Sequence, residues 1–373
     1  MEFSINDKKF LNEIGVDVFS EKRNYWFVRT QKGTYYEDFI NDNFIGIEWD
    51  KISDLNFIRQ IKEEDLKVEV SKQYLEIDRP GYVASQIYKF CNCMKKGDIV
   101  LIPSKESKWI TIGELLEDDA YIQEKEQLDF QEFLDNFYDS EDESAEKTLL
   151  LKRRKVKWLK SLKKSELDPY LYSIIYSHNA IVDANPYSLF IDRMLSQFYL
   201  KGDEGYFTYK INKKYNIPYS NMLSFLNNND KLMDYINNKF PELNFNKNDI
   251  ILKVNVQSKG PVQLKSKIMW ILICGVAITA LFGAHFDFEF LGAKVDIETE
   301  GLPKLISTIS ESIQKNKETD PELKEIIEAF QKDKENLELE LPQQNNTKNN
   351  DELTVDNDEV TTDRYKITVD NNN

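Results

Sequence analysis

The feature that most restricts this chain is an unbroken apolar run at 268–286, IMWILICGVAITALFGAHF. Its nineteen positions hold no Asp, Glu, Lys or Arg, and the one histidine, His285, comes near the end. At about 1.5 Å rise per residue, a helix of this length approaches the roughly 30 Å hydrocarbon thickness of a bilayer. Lys265 and Lys267 precede the run, while Asp287 and Glu289 follow it. Basic residues favour the cytoplasmic flank, so the run predicts a single-pass cell-membrane protein with its N-terminal domains in the cytoplasm. Gly275 and Gly283 would present small residues on one face, a weak cue for homo-oligomer formation through that helix. The competing reading is a buried core helix, because nineteen residues lie at the short end of the spanning range.

The remaining chain has ample material for a packed interior. Of 373 residues, 41% are hydrophobic and 12% aromatic, enough for two modest domains with attachments. The formal net charge of −16 argues against indiscriminate binding to phosphate backbones. Cys91, Cys93 and Cys274 are too few for a disulfide framework, and no CxxC pair or histidine cluster accompanies them. No metal or other cofactor is therefore expected. The N-terminus, MEFSINDKKFLNEIG, lacks the basic-then-apolar pattern of a secretory signal.

From Tyr25 onward, short aromatic and β-branched runs alternate with turn residues. YWFVRT, FIGIEW, GDIVLIP, WITIGEL and KVKWL read as strands, and QIYKFCNCMKKGD has helical spacing before a Lys-Lys-Gly stop. The expected class is α+β, beginning with a small, partly open barrel. A small α+β module follows at 191–264, then the membrane segment at 265–288. A strand and amphipathic-helix region should occupy 289–340, with the helix at Ile306–Leu337. The Asn-, Asp- and Thr-rich tail at 341–373 is expected to be disordered.

The ordered series Tyr25-Trp26-Phe27-Val28-Arg29, Ile45-Gly46-Ile47-Glu48-Trp49, Gln86-Ile87-Tyr88-Lys89-Phe90, Lys96-Gly97-Asp98-Ile99-Val100, Ile112-Gly113-Glu114 and Arg154-Lys155-Val156-Lys157-Trp158 resembles the PUA-like, EVE-like domains of Mrr-type restriction and other prokaryotic defence proteins. The resemblance covers roughly residues 20–190 and places a ligand-reading domain at 1–190. It implies an aromatic pocket for a base taken out of the stack, read at its edge by a few polar groups. By position in the motif, Trp26, Trp49 and Phe90 would wall that pocket, while Ser85, Gln86 and Ser104 would supply edge hydrogen bonds.

The sequence departs from this pattern at 114–147, an acidic insertion with fourteen acidic and two basic residues. Eight basic residues and no acidic ones follow between Lys152 and Lys164. Arg153, Arg154, Lys155, Lys157 and Lys160 are the candidates for phosphate contact, although the insertion could compensate or cover them. No Walker loop, GxGxxG or HExxH motif is present, and Ser177, His178 and Asp183 lack the surroundings of a nucleophile elbow, so an enzyme is not expected. The leading expectation is a membrane-anchored sensor of antiviral defence that binds a nucleotide or a modified base. A membrane-tethered adaptor without a nucleotide ligand and an unrecognised restriction-type nuclease are the alternatives.

Overall fold

The computed structural model describes residues 3–124, 150–241, 246–254, 259–282 and 301–342. The chain begins with helix α1 (Ile5–Glu13) and strand β1 (Asp17–Phe19). It continues through β2 (Tyr25–Val28), α2 (Tyr36–Asn41), β3 (Phe44–Ile47), α3 (Leu55–Gln60), α4 (Glu63–Gln73) and α5 (Pro80–Tyr88). Next come β4 (Ile99–Pro103), β5 (Trp109–Leu115), β6 (Tyr121–Ile122), β7 (Lys152–Lys163), α6 (Tyr172–Ile175), β8 (Ile181–Asp183) and α7 (Ser188–Leu195). The last part holds β9 (Phe198–Lys201), β10 (Glu204–Ile211), α8 (Tyr219–Lys239), β11 (Ile251–Val254) and β12 (Gly260–Lys267). Helices α9 (Ile268–Leu281), α10 (Gly301–Asn316) and α11 (Pro321–Leu337) then lead into β13 (Leu339–Glu340).

Two sheets organise these elements. The first is a half-barrel in the order β3-β7-β5-β4-β2-β8, with β6 on β7. Its central strands β2 and β4 run parallel and are buried along their whole length, which explains why YWFV and IVLIP are continuous apolar runs. Side chains still alternate. Trp26, Val28, Val100 and Ile102 enter a core beneath α4 and α5, while Tyr25, Phe27, Ile99 and Leu101 enter a second core near α6 and α7. Gly113 permits a bulge against β7, since a Cβ there would lie 2.4 Å from Val156 Cγ1 and 2.6 Å from Trp158 Cε3.

The second sheet runs β1-β9-β10-β12-β11, with β13 on β10. The N-terminal strand β1 pairs in parallel with β9, so the first residues belong to this later sheet. Its apolar face, with Phe198, Leu200, Phe207, Tyr209, Val262 and Leu264, shares one core with α8, α9 and the apolar stripes of α10 and α11. The region expected to hold one amphipathic helix from Ile306 to Leu337 is two helices, separated at Asp320, whose carboxylate caps α11. The boundary expected between 264 and 265 falls inside β12.

The apolar run corrects the membrane expectation. Among the described residues, no helix is long and apolar enough to cross a membrane. Helix α9 contains only fourteen residues, which at about 1.5 Å per residue reaches roughly 21 Å. It is buried almost all round by the chain's own sheet and helices, the other environment in which a uniformly apolar helix is stable. The single-pass membrane protein, its cell-membrane localisation and the orientation read from flanking lysines are therefore not supported. Lys265 lies within β12 and pairs with Glu204 at 2.7 Å. Gly275 faces Phe198 and Phe207 of the same chain rather than a neighbouring membrane helix. His285, Gly283, most of the acidic insertion and the tail beyond 342 lie outside the described residues.

Cys274 provides a direct check on this placement. Burial pushes its thiol up to about 12, and that of Cys91 up to about 11, so reactive thiolate is scarce near pH 8. Native protein in detergent-free buffer should leave Cys274 unlabelled by maleimide, with labelling appearing only as denaturant unfolds the chain. Fast labelling of Cys274 before unfolding would contradict a core position.

A candidate ligand cavity beside Trp49

The turn after β3 departs from regular strand geometry at Trp49, whose φ is 68°. A bulky residue in the left-handed region costs about 1–3 kcal/mol and persists only where surrounding contacts fix it. Here the fixing group is the fully buried Lys152 at the start of β7. Its ammonium donates to the Trp49 carbonyl at 2.9 Å and to Asp50 Oδ1 at 2.8 Å. Asp50 Oδ2 also accepts the Leu151 N–H at 3.2 Å. Burial pulls the Lys152 ammonium below its usual range, with Asp50 opposing the shift.

The turn opens onto a cavity of about 200 Å³. Trp49 and Tyr82 form an aromatic corner, with ring centroids 6.3 Å apart and planes at 85°. Arg29, Gln31, Glu48 and His178 supply polar groups, and Tyr35, Ile47, Leu150 and Ala180 complete the lining with Gly46. Strand ends and turns bring these distant residues together. The Arg29 amide donates to the Ala180 carbonyl at 2.9 Å, and its guanidinium donates to the Ser177 carbonyl. The Ala180 amide donates to the Tyr82 hydroxyl at 2.9 Å. Across the opening, the Gln31 side-chain amide donates to the Glu48 carboxylate. The site therefore combines aromatic surface with donors and an acceptor, a combination suited to a small planar polar ligand.

Of the six pocket candidates read from the sequence, Trp49 lines this cavity. Trp26 is in the core and donates its indole N–H to Asp98 Oδ2 at 2.9 Å. Phe90 is buried beneath the Arg154 guanidinium. Gln86 is buried close behind the cavity, its side-chain carbonyl accepting the Ile181 N–H at 2.7 Å. Ser85 is half-buried on α5, and Ser104 Oγ accepts the Trp109 N–H at 2.9 Å.

The five phosphate-contact candidates do not form one open surface. Arg154 is buried, and its guanidinium donates to the carbonyls of Phe90, Cys91, Glu117 and Asp118. Arg153 lies 3.9 Å from the Phe44 ring centroid and bonds the Leu150 carbonyl. Lys155 pairs with Glu117 at 3.0 Å, Lys160 donates to the Met194 carbonyl at 2.8 Å, and Lys157 is exposed. Strand alternation and these partners divide what had read as a single basic stripe.

Arg29, Gln31, Tyr35, Glu48, Tyr82 and His178 were absent from the sequence-based pocket. Arg29 and Glu48 directly follow strand runs, a cue to a rim position, but nothing local links either to Tyr82 or His178. Among the described residues, no group of three or more His, Cys, Asp or Glu could hold a metal ion.

A family model described as a domain of unknown function (DUF8426) matches residues 26–181. That stretch is less than half the chain, yet it contains every residue lining the cavity. No curated protein and no solved structure matches the chain.

Lys152→Met should cost about 2 kcal/mol in urea unfolding, because it leaves the Trp49 carbonyl and Asp50 without their buried donor. An unchanged midpoint and slope would remove Lys152 from its anchoring role.

Proposed function

We propose that residues 26–181 form a reader domain that accepts one nucleobase, free as a mononucleotide or extruded from a nucleic acid, against Trp49 and Tyr82. The observation that carries this reading is the constrained left-handed Trp49, held by buried Lys152 at the edge of a cavity with Arg29, Glu48 and Gln31 around it. The size agrees. Pockets for drug-sized ligands measure about 300–1,000 Å³, so one of roughly 200 Å³ suits a single ring system with limited substituents. An indole face offers about 1–3 kcal/mol per stacked base. The carboxylate and guanidinium provide acceptor and donor capacity toward a base edge. The resemblance to reader domains of prokaryotic defence proteins supports the same reading and suggests a sensing role in antiviral defence.

Titration calorimetry of the full chain against nucleoside monophosphates, including methylated and hydroxymethylated bases, tests the proposal. At least one ligand should bind saturably, and Trp49→Ala should weaken it about fivefold to a hundredfold with the fold intact. No binding across the panel, or equal binding by Trp49→Ala, would overturn it.

A further inference from the structure

A second surface, linked to the cavity through the 29–33 and 176–178 segments, carries a different chemistry. At the far end of β7, Lys163 pairs in register with Trp109 on β5, and its ammonium lies 5.3 Å from the Trp109 ring centroid. Next to it, Lys164 donates to the Tyr176 hydroxyl at 3.1 Å and lies 4.9 Å from that ring centroid. Trp109 is 36% exposed and Tyr176 is 64% exposed. Lys32 and Lys105 are also exposed on the flanking loops. These cations stand out in a chain of net charge −16.

Nearby acids already have partners. Glu106 pairs with Lys108 at 3.3 Å, Glu166 accepts the Lys163 backbone N–H at 3.2 Å, and Asp168 pairs with Arg193.

The surface approaches the cavity along two routes. Tyr176 is followed by Ser177, whose carbonyl accepts Arg29, and by His178, which lines the cavity. On the other side, Lys105 is pressed against the 31–33 turn. A Cβ on Gly33, at φ 100°, would lie 2.4 Å from Lys105 Cα, and Gln31 of the same turn lines the cavity. Exposed aromatics interleaved with lysines suit unpaired nucleotides, whose bases stack while phosphates meet cations. A paired duplex would keep its base faces inside the stack.

We infer that the face carrying Trp109, Tyr176, Lys163 and Lys164 is a track for single-stranded nucleic acid that delivers one base to the cavity. The inference rests on the base-reading proposal and extends it by favouring a polymer over a free mononucleotide. The flanking bases stack on Trp109 and Tyr176, and the phosphates between them lie against the lysines.

Fluorescence anisotropy with the full chain and labelled dodecamers, as single-stranded DNA, single-stranded RNA and DNA duplex, tests the track. At least one single strand should bind ten times or more tightly than the mononucleotides, with the DNA and RNA arms identifying the sugar. The Trp109→Ala/Tyr176→Ala variant should weaken strand binding about tenfold or more. The Lys163→Gln/Lys164→Gln variant should flatten the logarithmic salt dependence by about 1.4, near 0.7 for each lost phosphate contact. Neither variant should change mononucleotide affinity. A strand bound no more tightly than a mononucleotide, equal binding of the duplex, or strand affinity unaffected by both variants would overturn the track while leaving the cavity reading in place. Failure of strands and mononucleotides alike would overturn both.

Discussion

Gly275→Val is expected to lower the free energy of unfolding by about 3 kcal/mol or more. A Cβ at Gly275 would stand 2.4 Å from Phe198 Cζ, 2.6 Å from Phe198 Cε1 and 2.8 Å from Phe207 Cδ2. Both rings belong to the second sheet and meet each other edge to face at 5.1 Å, so neither can simply turn aside. Valine adds two further methyl groups to a position already too close for one. Overpacking of this kind costs about 1–3 kcal/mol, and more where the neighbours are fixed. Replacing glycine within a helix returns less than about 1 kcal/mol of propensity, so the clash dominates. Urea unfolding should show the loss, with Gly275→Ala intermediate. Wild-type stability in Gly275→Val would mean that α9 does not pack against β9 and β10 through this face.

Asp192→Ala should be comparably damaging, at about 3–5 kcal/mol. Asp192 is completely buried on α7 and accepts the Arg23 guanidinium and the Tyr25 hydroxyl through Oδ1, while Oδ2 accepts Lys201 Nζ at 2.8 Å. Tyr25 belongs to the first sheet and Lys201 to the second, so one carboxylate joins both. Its removal strands two mostly buried cations and a buried phenol. Breaking a buried pair from one side costs far more than the pair's net contribution to folding. Asp192→Asn retains an acceptor for Tyr25 and should lose less. The comparison is again read by urea unfolding, and a loss below about 1 kcal/mol in Asp192→Ala would show that solvent reaches this junction.

The strand-rich first half was legible because its signals are local. The runs around Tyr25–Val28, Phe44–Ile47, Ile99–Pro103, Trp109–Leu115 and the middle of Lys152–Lys163 are strands in the structure. The α+β class with a half-barrel follows from them. The apolar run at 268–286 misled for a physical reason: a helix surrounded by protein and a helix surrounded by lipid need the same apolar circumference. Only tertiary partners such as Phe198, Phe207 and Ile306 distinguish them, and these lie far away in sequence.

The cavity was legible only through Trp49. Trp26 lies within β2 and Trp49 just beyond β3, and Trp26 follows regular alternation into the core. Trp49 is redirected by a left-handed turn that no side-chain pattern announces. Arg154 and Lys152 read as surface cations until strand alternation places them inward with carbonyl and carboxylate partners. Tyr82 and His178 come from segments with no shared motif, so only the fold brings them to the same opening.

The central claim is that a base is read at Trp49, and fluorine NMR of fluorotryptophan-labelled full chain tests it most directly. The five tryptophans, at 26, 49, 109, 158 and 270, give separate probes that single Trp→Phe variants assign. On titration with the nucleoside monophosphate panel, the Trp49 resonance should shift saturably while those of buried Trp26 and Trp158 stay in place. A shift at Trp26 or Trp158 with Trp49 unmoved, or no shift at any tryptophan, would contradict the claim.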